Sequence, residues 1–197
     1  MKYTVFFAYQ SDISAQFGKD FIVSALDLVK AKLQKQNIEL IIDFGFRGES
    51  GNTPLLETML DKSRDADITI VDLTYTSAKE WLLAEIIEQD DKNIILEIPK
   101  GDRKPSPNPN VLLETGFAWA LKGANRTILV MNEAFGTPDL LPVDLKGFRW
   151  PVIYNLRDEN YNENTKVKEQ LIKDLYKAIM GSLESEEKCL RDNWKPI

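Results

Sequence analysis

Glu114 is the only charged residue between Val111 and Leu121, in the stretch PSPNPNVLLETGFAWALKG that covers residues 105–123. A lone carboxylate is seldom left in apolar surroundings without a partner or a task. Burial would raise its pKa and suit it to act as a general base or to stabilise developing positive charge. The structural alternative is a carboxylate near a helix N-terminus, stabilised by the helix dipole.

The chain has no histidine and only one cysteine, Cys189. This composition excludes Ser-His-Asp and Cys-His catalysis, and it leaves no set of ligands for the usual zinc sites. Catalysis near neutral pH therefore falls to a carboxylate, or to a lysine or tyrosine with a shifted pKa. Cleavage of an N-glycosidic bond is one such reaction, because a single carboxylate can stabilise the oxocarbenium-like ribose without a metal.

The length and bulk composition predict one soluble domain over residues 1–197. Within it we expect a core over about 1–155, followed by a closing helix and tail over 156–197. The 197 residues carry a formal net charge of -6, which disfavours a nucleic-acid footprint. No apolar run is long enough for a membrane span, and MKYTVFFAYQSD at the N-terminus is typical of a strand rather than a secretion signal. One cysteine permits no internal disulfide, so we expect a cytoplasmic protein.

Apolar runs and amphipathic segments alternate along the chain. The predicted strands cover residues 3–9, 37–43, 67–74, 126–132 and 150–155, with 93–99 as a further strand or a covering segment. The predicted helices cover 14–36, 54–65, 77–90, the segment from the Asn108-Pro109 cap to Gly123, and 163–187. This order predicts a three-layer, flavodoxin-like α/β fold, a parallel sheet of about four to six strands with helices on both faces.

Ligands of such sheets bind outside the carboxyl ends of the strands. Polar residues at these ends are therefore candidates for substrate binding: Tyr9, Gln10, Ser11, Asp12, Arg47, Asp72, Thr74 and Asn110. Structural alternatives exist for several of them. Ser11 and Asp12 could cap a helix, Asp72 could cap a turn, and Arg47, in the glycine loop 44–54, could be solvated. A second carboxylate in apolar company, Glu85, is typical of a partly solvated helix face.

Four segments over residues 3–155 resemble the bacterial TIR-like (Toll/interleukin-1 receptor-like) nucleotide-binding domains of anti-phage defence systems, of Thoeris type or dependent on cyclic nucleotides. They are FFAYQSD, DADITIVDLT, PNPNVLLETGFAWALKG and RTILVMNEAFG…LPVDLKGFRWP. The most specific is NPNVLLETG, which is similar to a pattern NPNV..ELG.A, with ETG in place of ELG. The segment 75–107 is long for this family and could cover the site or supply an interface.

This resemblance implies an enzyme that splits NAD at the bond between nicotinamide and ribose, with NAD as substrate and no permanently bound cofactor. The family's glutamate falls on Glu114, its closing loop on Phe44–Thr53 and its polar strand end on Tyr9–Asp12. The phosphates of NAD would lie near the backbone of residues 10–12 and Arg47. The resemblance also implies a homo-oligomer and a separate effector protein.

Two other functions remain open from the sequence. One is a nucleoside 2-deoxyribosyltransferase-like enzyme, which shares the layered fold and attacks the sugar with a carboxylate. The other is a TIR-like module that binds a nucleotide or assembles with a partner without catalysis. Base release from deoxynucleosides distinguishes the first, and unchanged behaviour of a Glu114→Gln variant distinguishes the second.

Overall fold

The structure of the protein is a computed structural model that describes residues 1–45, 55–76, 86–89, 92–95, 105–146 and 151–185. Its strands are β1 (Lys2–Ala8), β2 (Glu39–Phe44), β3 (Ile68–Asp72), β4 (Ile86–Gln89), β5 (Lys92–Ile95), β6 (Thr127–Asn132) and β7 (Val152–Tyr154). Its α-helices are α1 (Lys19–Gln34), α2 (Leu55–Asp65), α3 (Pro109–Lys122), α4 (Val143–Lys146) and α5 (Asn164–Leu183).

Five strands form one parallel sheet in the order β2-β1-β3-β6-β7. The first strand lies inside the sheet, where Val5 pairs with Ile42 on one side and with Ile68 on the other. This order is that of flavodoxin-like sheets, whose topological switch point lies between β1 and β3. The predicted parallel α/β sheet is therefore confirmed.

The helices cover both faces of the sheet. On one face α1 and α5 pack together, and on the other α2 and α3 do. Each face of the sheet has its own hydrophobic core. Neighbouring residues of β1 pack into different cores, because successive side chains of a strand point to opposite faces. Phe7 belongs to the core that includes Ile22 and Leu175, while Phe6 belongs to the core that includes Val111. The result is the three-layer arrangement expected from the sequence.

The first helix begins later than the sequence predicts. Residues 14–36 were expected to be one helix, but α1 starts at Lys19 and follows a short 3-10 turn over Ala15–Phe17. Gly18 separates the two, and a side chain there would come within 3.1 Å of Ile13 Cδ1. The N-cap of α1 is Gly18, so the suggested capping of this helix by Ser11 or Asp12 is wrong.

The predicted helix over 77–90 is wrong in its described part. Residues Ile86–Gln89 form β4, which pairs antiparallel with β5. In the register of this pair, Ile86 is opposite Ile95 and Ile87 is opposite Ile94. β-Branched residues favour such cross-strand pairs over a helix, which explains the error. The strand alternative for 93–99 is confirmed over residues 93–95 by β5, whereas 96–99 and 77–85, with Glu85, lie outside the described residues.

Among the described residues, no helix combines the length and the apolar character that crossing a bilayer requires.

Candidate functional site

The cap of α3 joins two segments that are far apart in the sequence. Asn108 Oδ1 accepts a hydrogen bond of 2.8 Å from the backbone N–H of Asn110, and Pro109 is the first helical residue, as predicted. The amide Nδ2 of Asn108 also donates to Asp12 Oδ2 at 2.7 Å. The N-terminus of α3 is thereby held against the loop that leaves the carboxyl end of β1.

Glu114 is buried on α3, where its side chain retains only 7% exposure. Its Oε2 is enclosed and has no hydrogen-bond partner in the part of the chain that the structure describes. Burial raises the pKa of this carboxyl from 4.5 to about 7. The expectation of a buried carboxylate with a raised pKa is confirmed, and this side chain therefore titrates near neutral pH.

The buried side chain of Gln10 holds the backbone of the loop after β1. Its Oε1 accepts hydrogen bonds from the backbone N–H groups of Asp12, at 2.6 Å, and Ile13, at 3.1 Å. The side chain is 3% exposed, whereas Ser11 and Asp12 lie at the surface. The buried amide thus fixes the backbone that presents Asp12 to the cap of α3.

Asp72 ends β3 and is completely buried. Its Oδ1 accepts from the backbone N–H of Thr74 at 3.0 Å and from the Thr74 hydroxyl at 2.5 Å. The suggested turn capping by Asp72 is thus confirmed. Burial raises the pKa of Asp72 to about 6, and the contacts from Thr74 and the nearby Gln10 amide lower it only in part. Asp72 Oδ2 and Gln10 Nε2 have no partner within hydrogen-bonding geometry among the described residues.

Two residues that the sequence analysis did not single out complete this buried network. Asn132, the last residue of β6, donates through Nδ2 to the carbonyls of Phe17 at 3.0 Å and Leu156 at 2.9 Å. The Tyr154 hydroxyl donates to the same Phe17 carbonyl at 2.7 Å. Burial and the charge of Asp72 raise the Tyr154 pKa well above its usual value. A polar residue at the end of an apolar strand was the signal that could have indicated Asn132.

Tyr9 lies beside the end of β2, where its ring meets Phe44 edge-on with the centroids 6.3 Å apart. The ammonium of Lys19, the first residue of α1, stands 4.8 Å from the Tyr9 centroid and 5.3 Å from the Phe44 centroid. Gly45 follows with φ +57°, and a side chain there would lie 3.3 Å from the Tyr9 hydroxyl. Tyr9, Phe44 and Lys19 form what we call the aromatic–lysine cluster.

The structure therefore brings several predicted residues to the carboxyl edge of the sheet, but with different exposure. Gln10, Asp72 and Thr74 are buried, while Ser11, Asp12 and Asn110 are exposed. Arg47 and residues 46–54 of the glycine loop lie outside the described residues. Within the described ranges no group of three or more His, Cys, Asp or Glu side chains is arranged to hold a metal ion.

No protein-family model matches the chain. No curated protein matches it either. The resemblance to TIR-like domains therefore stays a prediction that rests on the sequence motifs, and the candidate site has to be judged on its own geometry.

Proposed function

We propose that the protein is a TIR-like enzyme that cleaves NAD at the N-glycosidic bond between nicotinamide and ribose. The observation that carries this proposal is Glu114, a carboxyl group with 7% exposure and a pKa of about 7 on the helix that meets the loop after β1. A carboxylate in a poorly solvated position interacts with a nearby cation more strongly than one in water.

The proposed reaction uses that carboxylate on the ribose. The bond between C1′ and the nicotinamide nitrogen breaks, and its electron pair goes to the nitrogen, which loses its positive charge as nicotinamide departs. The positive charge that develops on the ribose is stabilised by ionised Glu114. Water then adds to C1′ and loses a proton to the carboxylate, so that the products are nicotinamide, ADP-ribose and a proton.

The loop over residues 10–13 would hold the substrate in place. Because Gln10 Oε1 anchors its backbone and Asp12 binds Asn108, this loop and the first turn of α3 are held in one relative position. A group bound at the exposed face of the loop would therefore have a defined distance from Glu114. Holding the substrate at a fixed position relative to the catalytic group lowers the entropic part of the activation barrier.

We further propose that the reaction serves anti-phage defence in the cytoplasm, by making an ADP-ribose-derived signal or by depleting NAD. The resemblance to TIR-like domains supports this role. It also suggests that the chain works as a homo-oligomer and passes its signal to a separate effector protein.

The experiment is an incubation of the purified protein with NAD, followed by chromatography and mass spectrometry, with and without lysate from infected cells. We expect equimolar nicotinamide and an ADP-ribose product from the wild type and from Glu57→Gln, an exposed control carboxylate on α2. Glu114→Gln should give neither. Base release from deoxynucleosides without NAD turnover would instead identify a deoxyribosyltransferase-like enzyme. Nucleotide binding without turnover in every sample would identify a non-catalytic module.

A further inference from the structure

Lys19 holds a positive charge at the carboxyl edge of the sheet. It is the first residue of α1, and its half-buried side chain places Nζ over the rings of Tyr9 and Phe44, at 4.8 and 5.3 Å from their centroids. Tyr9 directly follows β1 and Phe44 ends β2. The ammonium therefore lies at the carboxyl ends of β1 and β2, beside the switch point between β1 and β3 where ligands of such sheets bind.

Lys19 has no acidic side chain within ion-pair distance in the described part of the chain. Within these ranges Nζ takes part in no ion pair and no hydrogen bond, although a lysine ammonium has three N–H donors. Asp43, which precedes Phe44, is paired with Lys62 instead, and Asp12 accepts a hydrogen bond from Asn108. Cation–π contacts fix the position of an ammonium but leave its hydrogen-bonding capacity for another group.

We propose that Lys19 binds the diphosphate of the substrate and that Tyr9 and Phe44 hold its ammonium in place for this purpose. The aromatic–lysine cluster would then select nucleoside diphosphate derivatives, such as dinucleotides, over simple nucleosides. This inference rests on the proposed function for the identity of the substrate. It goes beyond that function because it identifies the diphosphate as the group of the substrate that is recognised, and Lys19 as the residue that recognises it.

The geometry favours an anion over an apolar ligand at this place. A phosphate oxygen supplies the acceptor that Nζ lacks, and a charge-assisted hydrogen bond of this kind is stronger than a neutral one. The same position at the start of a sixteen-residue helix adds a favourable field for negative charge. The loop at residues 10–13 directly follows Tyr9, and Asp12 in this loop binds the cap of α3, so the chain connects the aromatic–lysine cluster to the helix of Glu114.

The test is titration calorimetry at low salt with ADP, adenosine and inorganic diphosphate as probes. Lys19→Met keeps the apolar stem of the side chain and removes the charge, Lys19→Arg restores a charge, and Lys30→Met removes an exposed charge from the same helix as a control. Circular dichroism and thermal unfolding verify that each variant is folded.

We expect the wild type to bind ADP at least about 10-fold more tightly than adenosine, since a charged hydrogen bond is worth at least that factor. Lys19→Met should lose about 10-fold or more in ADP affinity and nothing in adenosine affinity, while Lys19→Arg and Lys30→Met retain ADP binding. Inorganic diphosphate should compete with ADP in the wild type, Lys19→Arg and Lys30→Met, but not in Lys19→Met. Equal affinity of the wild type for ADP and adenosine, absence of binding, or an equal loss of both in Lys19→Met would overturn the inference. Selective ADP binding without NAD turnover would contradict only the proposed reaction.

Discussion

Asn108 and Asp12, 96 positions apart in the sequence, are joined by a hydrogen bond of 2.7 Å between Asn108 Nδ2 and Asp12 Oδ2. The same asparagine caps α3 through its Oδ1. One side chain therefore both binds the loop after β1 and caps the helix of Glu114. This bond connects the loop directly to the first turn of α3.

A double-mutant cycle should detect this connection. Asn108→Ala loses both the cap and the hydrogen bond and should lower the free energy of unfolding by about 1–2 kcal/mol. Asp12→Ala loses only the bond, which lies at the surface, and should cost about 0.5 kcal/mol. Urea unfolding of the two single variants and the double variant should give a coupling energy of the same order. Strict additivity would show that the bond does not form in solution.

The same two variants should affect turnover beyond stability. If the bond positions Glu114 relative to the substrate, each variant should lower kcat for NAD by about 10-fold with a smaller effect on KM. Steady-state kinetics well below the unfolding temperature separates this effect from a loss of folded protein. An unchanged kcat in both variants would contradict a positioning role.

Glu114→Gln should abolish the proposed reaction and leave the fold intact. The amide fills the same space but carries no negative charge, so the stabilisation of the ribosyl cation is lost and kcat should fall at least about 100-fold. Nicotinamide release measured by chromatography gives the rate, with Glu57→Gln as the exposed control. Equal rates in wild type and Glu114→Gln would remove Glu114 from the mechanism.

The pH profile of the reaction should report the titration of Glu114. The ionised form is the active one, and burial raises its pKa to about 7, so kcat/KM for NAD should rise with pH and level off above about 7. Below that value the rate should fall about 10-fold per pH unit. A profile that is flat between pH 5 and 8 would mean that another group, or none, limits the chemistry.

Glu114 should also make the protein less stable as the pH rises. Its pKa is 4.5 when solvated and about 7 in the folded protein, so the folded state binds the proton more tightly. The contribution of Glu114 to stability is therefore zero below about pH 4.5 and becomes unfavourable by about 3 kcal/mol above about pH 7.

Urea unfolding of the wild type and Glu114→Gln between pH 4.5 and 8 measures this contribution. The variant should gain stability relative to the wild type across that range, up to about 3 kcal/mol. Asp72, whose pKa burial raises to about 6, titrates in both proteins and largely cancels in the comparison. A constant difference between the two proteins would mean that Glu114 is more solvated than its 7% exposure indicates.

Lys122 should be a stabilising residue of the fold outside the site. This last residue of α3 is 1% exposed, and its Nζ donates to the carbonyls of Arg64, at 3.1 Å, and of Ala66, at the end of α2. Lys122→Met keeps the stem but leaves these carbonyls without their donor, which should cost about 2–4 kcal/mol. Urea unfolding measures the loss, and Lys173→Met, at an exposed position of α5, should change stability by less than about 0.5 kcal/mol.

The sequence predicted most of the layered fold because each signal was local. The apolar runs of β1, β3 and β6 are buried on both faces of the sheet, so their composition alone identified them. The Asn108-Pro109 cap and the glycine at the end of α3 marked that helix for the same reason. Local patterns are ambiguous where a short apolar segment can form either a helix or a strand. Ile86–Gln89 is such a segment, since the sequence predicts a helix there and the structure has a strand.

The sequence by itself also determined which chemistry was open to this protein, since a chain without histidine has to use its carboxylates. Only the tertiary structure decided which of these residues meet. It buried Glu114 on the face of α3 that packs against the core, joined Asp12 to Asn108, and placed Lys19 over Tyr9 and Phe44. The physical reason is that pKa values and contacts depend on distances through space, and spacing along the chain specifies those distances only within a single helix or strand.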